Sequence, residues 1–164
     1  MKNTKAAFHW ITNILEQHNI VYKISGGFAA RIYGVDRELA DIDIEVEDAN
    51  ILKIAEDVKP FIIFGPARYT DNNWDLELIT LKYEGQEVDI FGTKAKIFNH
   101  ETKQWEPCPG NLKSIEIKEV FGKSVPVESK ESLIAYKSKL AREVDIEDVK
   151  QLLDSDSHTS IVIQ

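Results

Sequence analysis

Two aspartates one residue apart, Asp41 and Asp43, lie in the run Asp41-Ile42-Asp43-Ile44-Glu45-Val46-Glu47, which alternates acid and apolar side chains. An alternation of two is the period of a β-strand. Both carboxylates then project from one face, while Ile42 and Ile44 project from the other. Carboxylates held this close repel one another unless a divalent cation lies between them, and an all-oxygen donor set suits Mg²⁺. The competing reading is the solvated face of an exposed strand. It is adopted for Glu45 and Glu47. For Asp41 and Asp43 both readings stand, because aspartate is disfavoured in strands and two in succession ask for a reason.

A second group is Ser25-Gly26-Gly27, placed between an expected strand and an expected helix. Two glycines let backbone approach a ligand, and a helix N-terminus offers unpaired N–H groups and positive potential to a phosphate. Alone, such a turn is usually only a turn. The third element is Asp89, flanked by Val88 and Ile90; Glu87 is set apart as facing away from it. Glu77, between Leu76 and Leu78, has the same look on the preceding strand. Asp89 is preferred because a shorter side chain holds a metal more rigidly.

Among cations, Lys137 lies four residues after Leu133 and three before Leu140, on the apolar stripe of an expected helix. It is either a snorkelling edge residue or a cation aimed at a site. Arg37, four before Asp41, is a second candidate, although loop arginines usually serve only solvation. Tyr69, Trp74 and Trp105 could wall a pocket for a ring-bearing ligand. The four histidines are scattered without ligand spacing, so no zinc site is read. Cys108, between prolines, reads as a structural loop residue.

These groups need a scaffold. Residues 3–18 carry Phe8, Ile11, Ile14 and Leu15 at helical spacing. A strand over 21–24 runs into the glycine turn, a helix over 28–33 follows, and Gly34 stops it. After the 41–47 strand, the pattern predicts a helix over 49–58 closed by Pro60, then a buried strand over 61–64. Residues 75–83 and 86–91 form a hairpin with Glu84-Gly85 at its tip. The turn-rich stretch 92–126 holds short strands near 114–119 and 123–127. Ser129, with Ser132 as a second choice, caps a helix to about Ala141. A last helix over 145–153 opens with Asp145, Glu147 and Asp148, the acids a helix N-terminus favours. The tail, with Ile161-Val162-Ile163, either frays or forms a late strand.

The chain has 164 residues, of which 43% are hydrophobic and 29% charged. That composition excludes collagen-like and wholly disordered chains, and no apolar run is long enough to span a membrane. One cysteine excludes a disulfide scaffold and suits a reducing cytoplasm. The expectation is one domain over 1–164, with 129–153 a C-terminal helical segment, and no secretory leader. A net charge of −8 without a basic block makes nucleic acid an unfavoured partner. An acidic protein that handles phosphates needs local cations or metal ions.

In combination, the glycine turn, an Asp-x-Asp strand 14 residues after Gly27 and a third strand aspartate resemble the nucleotidyltransferases of the polymerase-β-like superfamily. Within it, Ser25 to Ala29 through Arg37 to Asp43 looks like the small bacterial members, such as lincosamide, aminoglycoside and minimal nucleotidyltransferases. The stretch Leu133 to Lys137, through Arg142 to Asp145 and Asp148, is similar to the helical end of that group. Two departures stand out: Leu39 replaces the Thr or Ser of many relatives, and the Gly-Gly turn replaces the Gly-Ser of polymerases and minimal antitoxins. The resemblance covers roughly residues 5–153. It implies an α/β (α+β) fold with a mixed sheet flanked by helices. It also implies transfer of a nucleoside monophosphate from an NTP to a hydroxyl on a small molecule or protein.

In that frame Asp41 and Asp43 would hold two Mg²⁺ ions. Asp89 would hold the one that activates the hydroxyl, and could accept its proton. Ser25, Gly26 and Gly27 would bind the β- and γ-phosphates, and Lys137 would reach toward the triphosphate. Two alternatives remain: an antitoxin-like partner of a toxin protein, and a catalytically silent nucleotide-binding module.

Overall fold

The computed structural model describes residues 1–154. Helix α1 (Thr4–Gln17) starts at Asn3, whose side chain accepts the Ala6 N–H, and it buries Ala7, Phe8, Ile11 and Leu15 on one stripe. Strand β1 (Tyr22–Ser25) runs directly into α2 (Gly26–Ile32). Then come β2 (Asp41–Val46) and α3 (Asp48–Ile54). The expected helix to residue 58 ends early, giving way to turns and a 3-10 turn at Lys59–Phe61. Pro60 lies inside that 3-10 turn, near its start, where a residue without an N–H is tolerated.

Three long strands follow: β3 (Ile62–Thr70), β4 (Trp74–Tyr83) and β5 (Gln86–Gly92). The turn between β4 and β5 falls on Glu84-Gly85, both at positive φ (45° and 79°), which matches the twist of a two-residue hairpin. β3 was expected short and buried. It is nine residues long, pairs only with β4 and leaves Ile63 and Phe64 55% and 37% exposed. A strand partnered on one edge covers less of its side chains than one in the sheet centre.

Next are β6 (Lys96–Asn99), β7 (Gln104–Pro107), β8 (Ile115–Val120) and β9 (Lys123–Glu128). β6 and β7 had no signal in the sequence, since four-residue strands are too short to display a period. Helices α4 (Lys130–Leu140) and α5 (Glu143–Asp154) close the described chain. Ser129 caps α4 as expected, its hydroxyl accepting the Ser132 N–H. The Ile161-Val162-Ile163 stretch lies outside the described residues. None of the described helices is long and apolar enough to cross a membrane.

The nine strands of the described residues form one mixed sheet, in the order β7-β6-β4-β5-β2-β1-β9-β8 with β3 on β4. β2 runs parallel to β5 and β1 to β9; the other pairs are antiparallel. One face is apolar and fully buried, carrying Ile24, Ile42, Ile44, Ile79, Leu81, Val88 and Ile90 against Phe8, Ile11, Phe28 and Ile54. Each such side chain contributes about 1.5–3 kcal/mol of transfer free energy, which locks the strand registers. The other face carries the polar residues of the same strands.

Candidate functional site

The strand registers set one row of side chains across four strands. Ser25 of β1 stands opposite Asp43 of β2, Asp43 opposite Asp89 of β5, and Asp89 opposite Thr80 of β4. Asp41 follows on the same face as Asp43. One carboxylate oxygen from each of Asp41, Asp43 and Asp89 lies within 4.8 Å of the other two. Thr80 Oγ1 donates to Asp89 Oδ1 at 2.6 Å, so one oxygen of Asp89 is held and the other is left to the cleft.

Glu77 is exposed, one residue out of phase with Thr80, and therefore on the opposite face. Glu87, expected to face away, shares the face of Asp89 and stands opposite Asp41. Residues two apart on a strand lie on one side.

Crowding of like charges is visible in the proton affinities. Burial, then Asp89 and Asp41, push the Asp43 carboxyl up to about 8, against the pull of Lys137 and the Gly27 N–H. Burial pushes Asp89 up to about 6, opposed by the Thr80 hydroxyl and reinforced by Asp41 and Glu87. Asp41 is raised by burial and by Glu87.

The glycine turn passes directly over Asp43. Gly26 has φ +62°, and a Cβ there would lie 2.2 Å from Asp43 Oδ2. A Cβ at Gly27 would lie 2.4 Å from an Arg37 guanidinium nitrogen. At Gly26 the positive φ and the close Asp43 carboxylate both call for glycine, whereas a side chain at Gly27 would have to displace the Arg37 guanidinium. Ser25 occupies the N-cap position of α2 yet makes no side-chain cap bond. Its hydroxyl donates instead to Glu128 Oε1 at 2.5 Å.

Facing the acids is a wall of cations. Lys137 is only 2% exposed, with Nζ 2.9 Å from Asp148 and 3.5 Å from Asp145. Its ammonium is buried, so it does not snorkel. Arg37 grips Asp148 with two bonds of 2.9 and 3.1 Å, and Arg142 grips Asp145 with two of 2.6 and 3.0 Å. Arg37 is therefore no solvation residue. Asp145 and Asp148 are fully buried; beyond any effect on the helix terminus, they anchor three cations. Three positive and two negative groups leave one net positive charge. The i, i+3 spacing of Asp145 and Asp148 was the available sign that they share a helix face.

These groups line one cleft of about 500 Å³. Tyr69, Trp74, Leu76, Leu78 and Phe91 form an apolar flank beside Asp89. Arg142 stacks over Trp74 at 4.6 Å, and Trp74 Nε1–H donates to the Tyr136 hydroxyl at 3.2 Å. Trp105 does not take part: it is 45% exposed on β7 and packs on Phe98. Cys108 lines the cleft, its thiol pushed up to about 12 by burial and nearby carboxylates.

Glu45 departs from its expected solvated role. It is 7% exposed, sits 3.7 Å from the fully buried Lys23, and burial pushes its carboxyl up to about 7. A lysine inside the apolar strand β1 was the only sequence sign of this buried pair.

No family model matches the chain, and no curated protein matches it by sequence. Among solved structures, a candidate nucleotidyltransferase from Thermotoga maritima is 21% identical over 91% of each chain, with a TM-score of 0.70. The lincosamide antibiotic adenylyltransferase LnuA, solved with lincomycin, is 17% identical over 94% of this chain and 98% of its own, with a TM-score of 0.60. ANT(2″)-Ia, solved with adenylyl-2″-tobramycin, is 16% identical over 94% of this chain and 90% of its own, with a TM-score of 0.59. At these identities the likeness speaks for the fold, and the fold of this chain is that of the nucleotidyltransferases.

Proposed function

We propose that this chain transfers a nucleoside monophosphate from a nucleoside triphosphate to a hydroxyl acceptor. The observation that carries the reading is the pairing of Asp41, Asp43 and Asp89 with Arg37, Lys137 and Arg142 across one cleft. Three carboxylates whose oxygens converge within 4.8 Å, with raised proton affinities, fit a hard divalent cation such as Mg²⁺. Asp41, Asp43 and Asp89 would hold such ions, Asp89 on the side of the acceptor hydroxyl. When bound, Mg²⁺ supplies charge neutralisation on the phosphates and a lower pKa for the acceptor hydroxyl.

The protein groups divide the remaining work. Lys137, Arg37 and Arg142 give the triphosphate its positive wall, while Gly26 and Gly27 let it approach the backbone. Ser25 donates its one hydroxyl proton to Glu128 and the Gly27 N–H faces Asp43, so the phosphate contacts of this turn fall to the other backbone N–H groups at the start of α2. The acceptor oxygen bonds to the α-phosphorus as the bond to the β-phosphate oxygen breaks, and pyrophosphate leaves. Asp89 Oδ2, the oxygen Thr80 does not hold, accepts the hydroxyl proton. The flank of Trp74, Leu76, Leu78 and Phe91 suits the ring of a small acceptor. The adenylyltransferase neighbours make ATP and ring-bearing antibiotics the first probes; they give no support to a toxin partner. A cytoplasmic location, with its supply of nucleotide, accords with this chemistry.

The test is incubation of purified protein with each NTP, Mg²⁺ and a panel of hydroxyl acceptors, followed by mass spectrometry. Acceptor plus nucleoside monophosphate, with pyrophosphate released in equal amount, is the expected result. Binding of an NTP without transfer to any acceptor would favour the silent module.

A further inference from the structure

Glu128 is a buried carboxylate at the end of β9, 2% exposed, that lines the same cleft and occupies the Ser25 hydroxyl without serving the metal or the transfer step. The parallel register of Ile24 with Val127 brings it beside Ser25. One oxygen accepts the Ser25 hydroxyl at 2.5 Å and the other accepts the Ser132 hydroxyl at 2.7 Å. Its own carbonyl accepts the Tyr33 hydroxyl at 2.7 Å, just past the end of α2. A single side chain therefore joins the start of the glycine turn to the first turn of α4.

Neither of two simpler duties accounts for it. As a counter-ion to Lys23 it is one of two at similar range, 3.9 Å from Nζ beside Glu45 at 3.7 Å, while the short bond of 2.9 Å goes to the Asn111 carbonyl, so pairing with Lys23 leaves its two hydroxyl bonds unexplained. As a device to fill space, an apolar side chain would avoid the desolvation cost of a buried charge. What a carboxylate does here is accept two short hydroxyl bonds from opposite sides, a task no apolar residue can perform.

We propose that Glu128 is a positioning residue for nucleotide binding, holding Ser25 of the glycine turn against Ser132 of α4 and so setting the span between that turn and Lys137. The role rests on the reading of the cleft as a nucleotide site. Ser132 and Lys137 are five residues apart on a rigid helix, about 7.5 Å along its axis, so a shift of the first turn is carried to the ammonium. The Asp41–Asp43–Asp89 triad stands on β2 and β5, whose mutual register does not involve Glu128; its ties to the turn and to α4 are the Gly27 N–H and Lys137, both acting on Asp43. Glu128 should therefore govern nucleotide affinity far more than metal affinity.

The experiment measures two constants on folded protein. One is the Kd for the Mg²⁺ complex of whichever of ATP, GTP, CTP and UTP wild type binds best, by calorimetry. The other is Mn²⁺ binding without nucleotide, by electron paramagnetic resonance. Glu128→Ala is expected to weaken the nucleotide by about tenfold or more, from loss of two buried hydrogen bonds, with Mn²⁺ affinity held within about twofold. Glu128→Gln keeps an acceptor for Ser25 and an amide for Ser132, and should recover most of the loss. Ser132→Ala removes only the α4 half of the bridge. It should weaken nucleotide by a few-fold, and it decides the matter if Glu128→Ala does not fold. Unchanged nucleotide affinity in Glu128→Ala or Ser132→Ala, or a parallel loss of Mn²⁺ and nucleotide, overturns the proposal. A wild type that binds Mn²⁺ and none of the four nucleotides overturns the reading of the cleft instead, and this role with it.

Discussion

Asp43 and Asp89 stand directly opposite one another on the parallel strands β2 and β5, one carboxylate pointing at the other's side of the same open face. In most sheets a like-charged pair so placed costs stability. Here Asp41 stands two residues from Asp43 and adds a third negative group. The arrangement persists because the apolar neighbours Ile42, Ile44, Val88 and Ile90 are fully buried on the opposite face and fix the register.

The first expected outcome concerns pH. The Asp43 carboxyl is about 8 in the fold against an ordinary 3.8, so the metal-free native state binds a proton that the unfolded chain releases. Stability that is present below about pH 4 is therefore lost progressively as pH rises toward 8, the raised Asp89 adding to the lower part of that window. Melting in EDTA should show Tm falling from pH 5 to pH 8. Asp43→Asn should flatten that slope and raise Tm at pH 8, by about 3 °C for each kcal/mol relieved. An equal slope in wild type and variant would contradict this account.

Metal affinity should run the opposite way. Protons and divalent cations compete for the same oxygens, so Mg²⁺ should raise Tm more at pH 8 than at pH 6. Asp41→Asn and Asp43→Asn should each abolish that Mg²⁺ shift and any transfer activity while leaving a cooperative melt. Retained activity in either variant would remove the triad from the mechanism.

The third carboxylate can be separated from its rival by kinetics. Asp89→Ala should bind nucleotide with little loss and transfer it slower by orders of magnitude, since a base acts chiefly in the transition state. Glu77→Ala should be near neutral, because Glu77 is exposed on the far side of β4. Steady-state rates and nucleotide Kd values for both variants are the check.

A fourth outcome concerns Gly26. An alanine there must adopt φ +62° and place a methyl group at the position of Asp43 Oδ2. The backbone term alone costs about 1–2 kcal/mol. Displacement of Asp43 should also weaken Mn²⁺ binding, which a loop change elsewhere would not do. A Gly26→Ala protein with wild-type Tm and Mn²⁺ affinity would contradict the close approach.

Lys137→Met tests the cation wall. Asp148 keeps Arg37 and Asp145 keeps Arg142, so the stability loss should fall below the about 3–5 kcal/mol of a fully orphaned buried charge. Nucleotide affinity should drop by more than the melting temperature suggests. Urea denaturation and calorimetry on the same preparation separate the two effects.

The amino-acid sequence by itself determined the local pieces of the site. Alternation in residues 41–47 puts Asp41 and Asp43 on one strand face whatever the strand pairs with, because the side-chain period of a strand is two. The same rule applied to β5 puts Glu87 beside Asp89, and applied to β4 it turns Glu77 away from Thr80. The Glu84-Gly85 tip and the Ser129 cap were equally legible, being fixed by backbone preferences of a few neighbouring residues. Register and long-range pairing were decided only by tertiary structure. Whether Asp89 meets Asp43, Arg37 meets Asp148, or Glu128 meets Ser25 depends on residues 46, 111 and 103 positions apart. Such contacts form where burial of the whole apolar face is greatest, and no local period encodes them. For that reason Glu45 and Glu47 look alike in sequence, while the fold buries the first against Lys23 and leaves the second exposed.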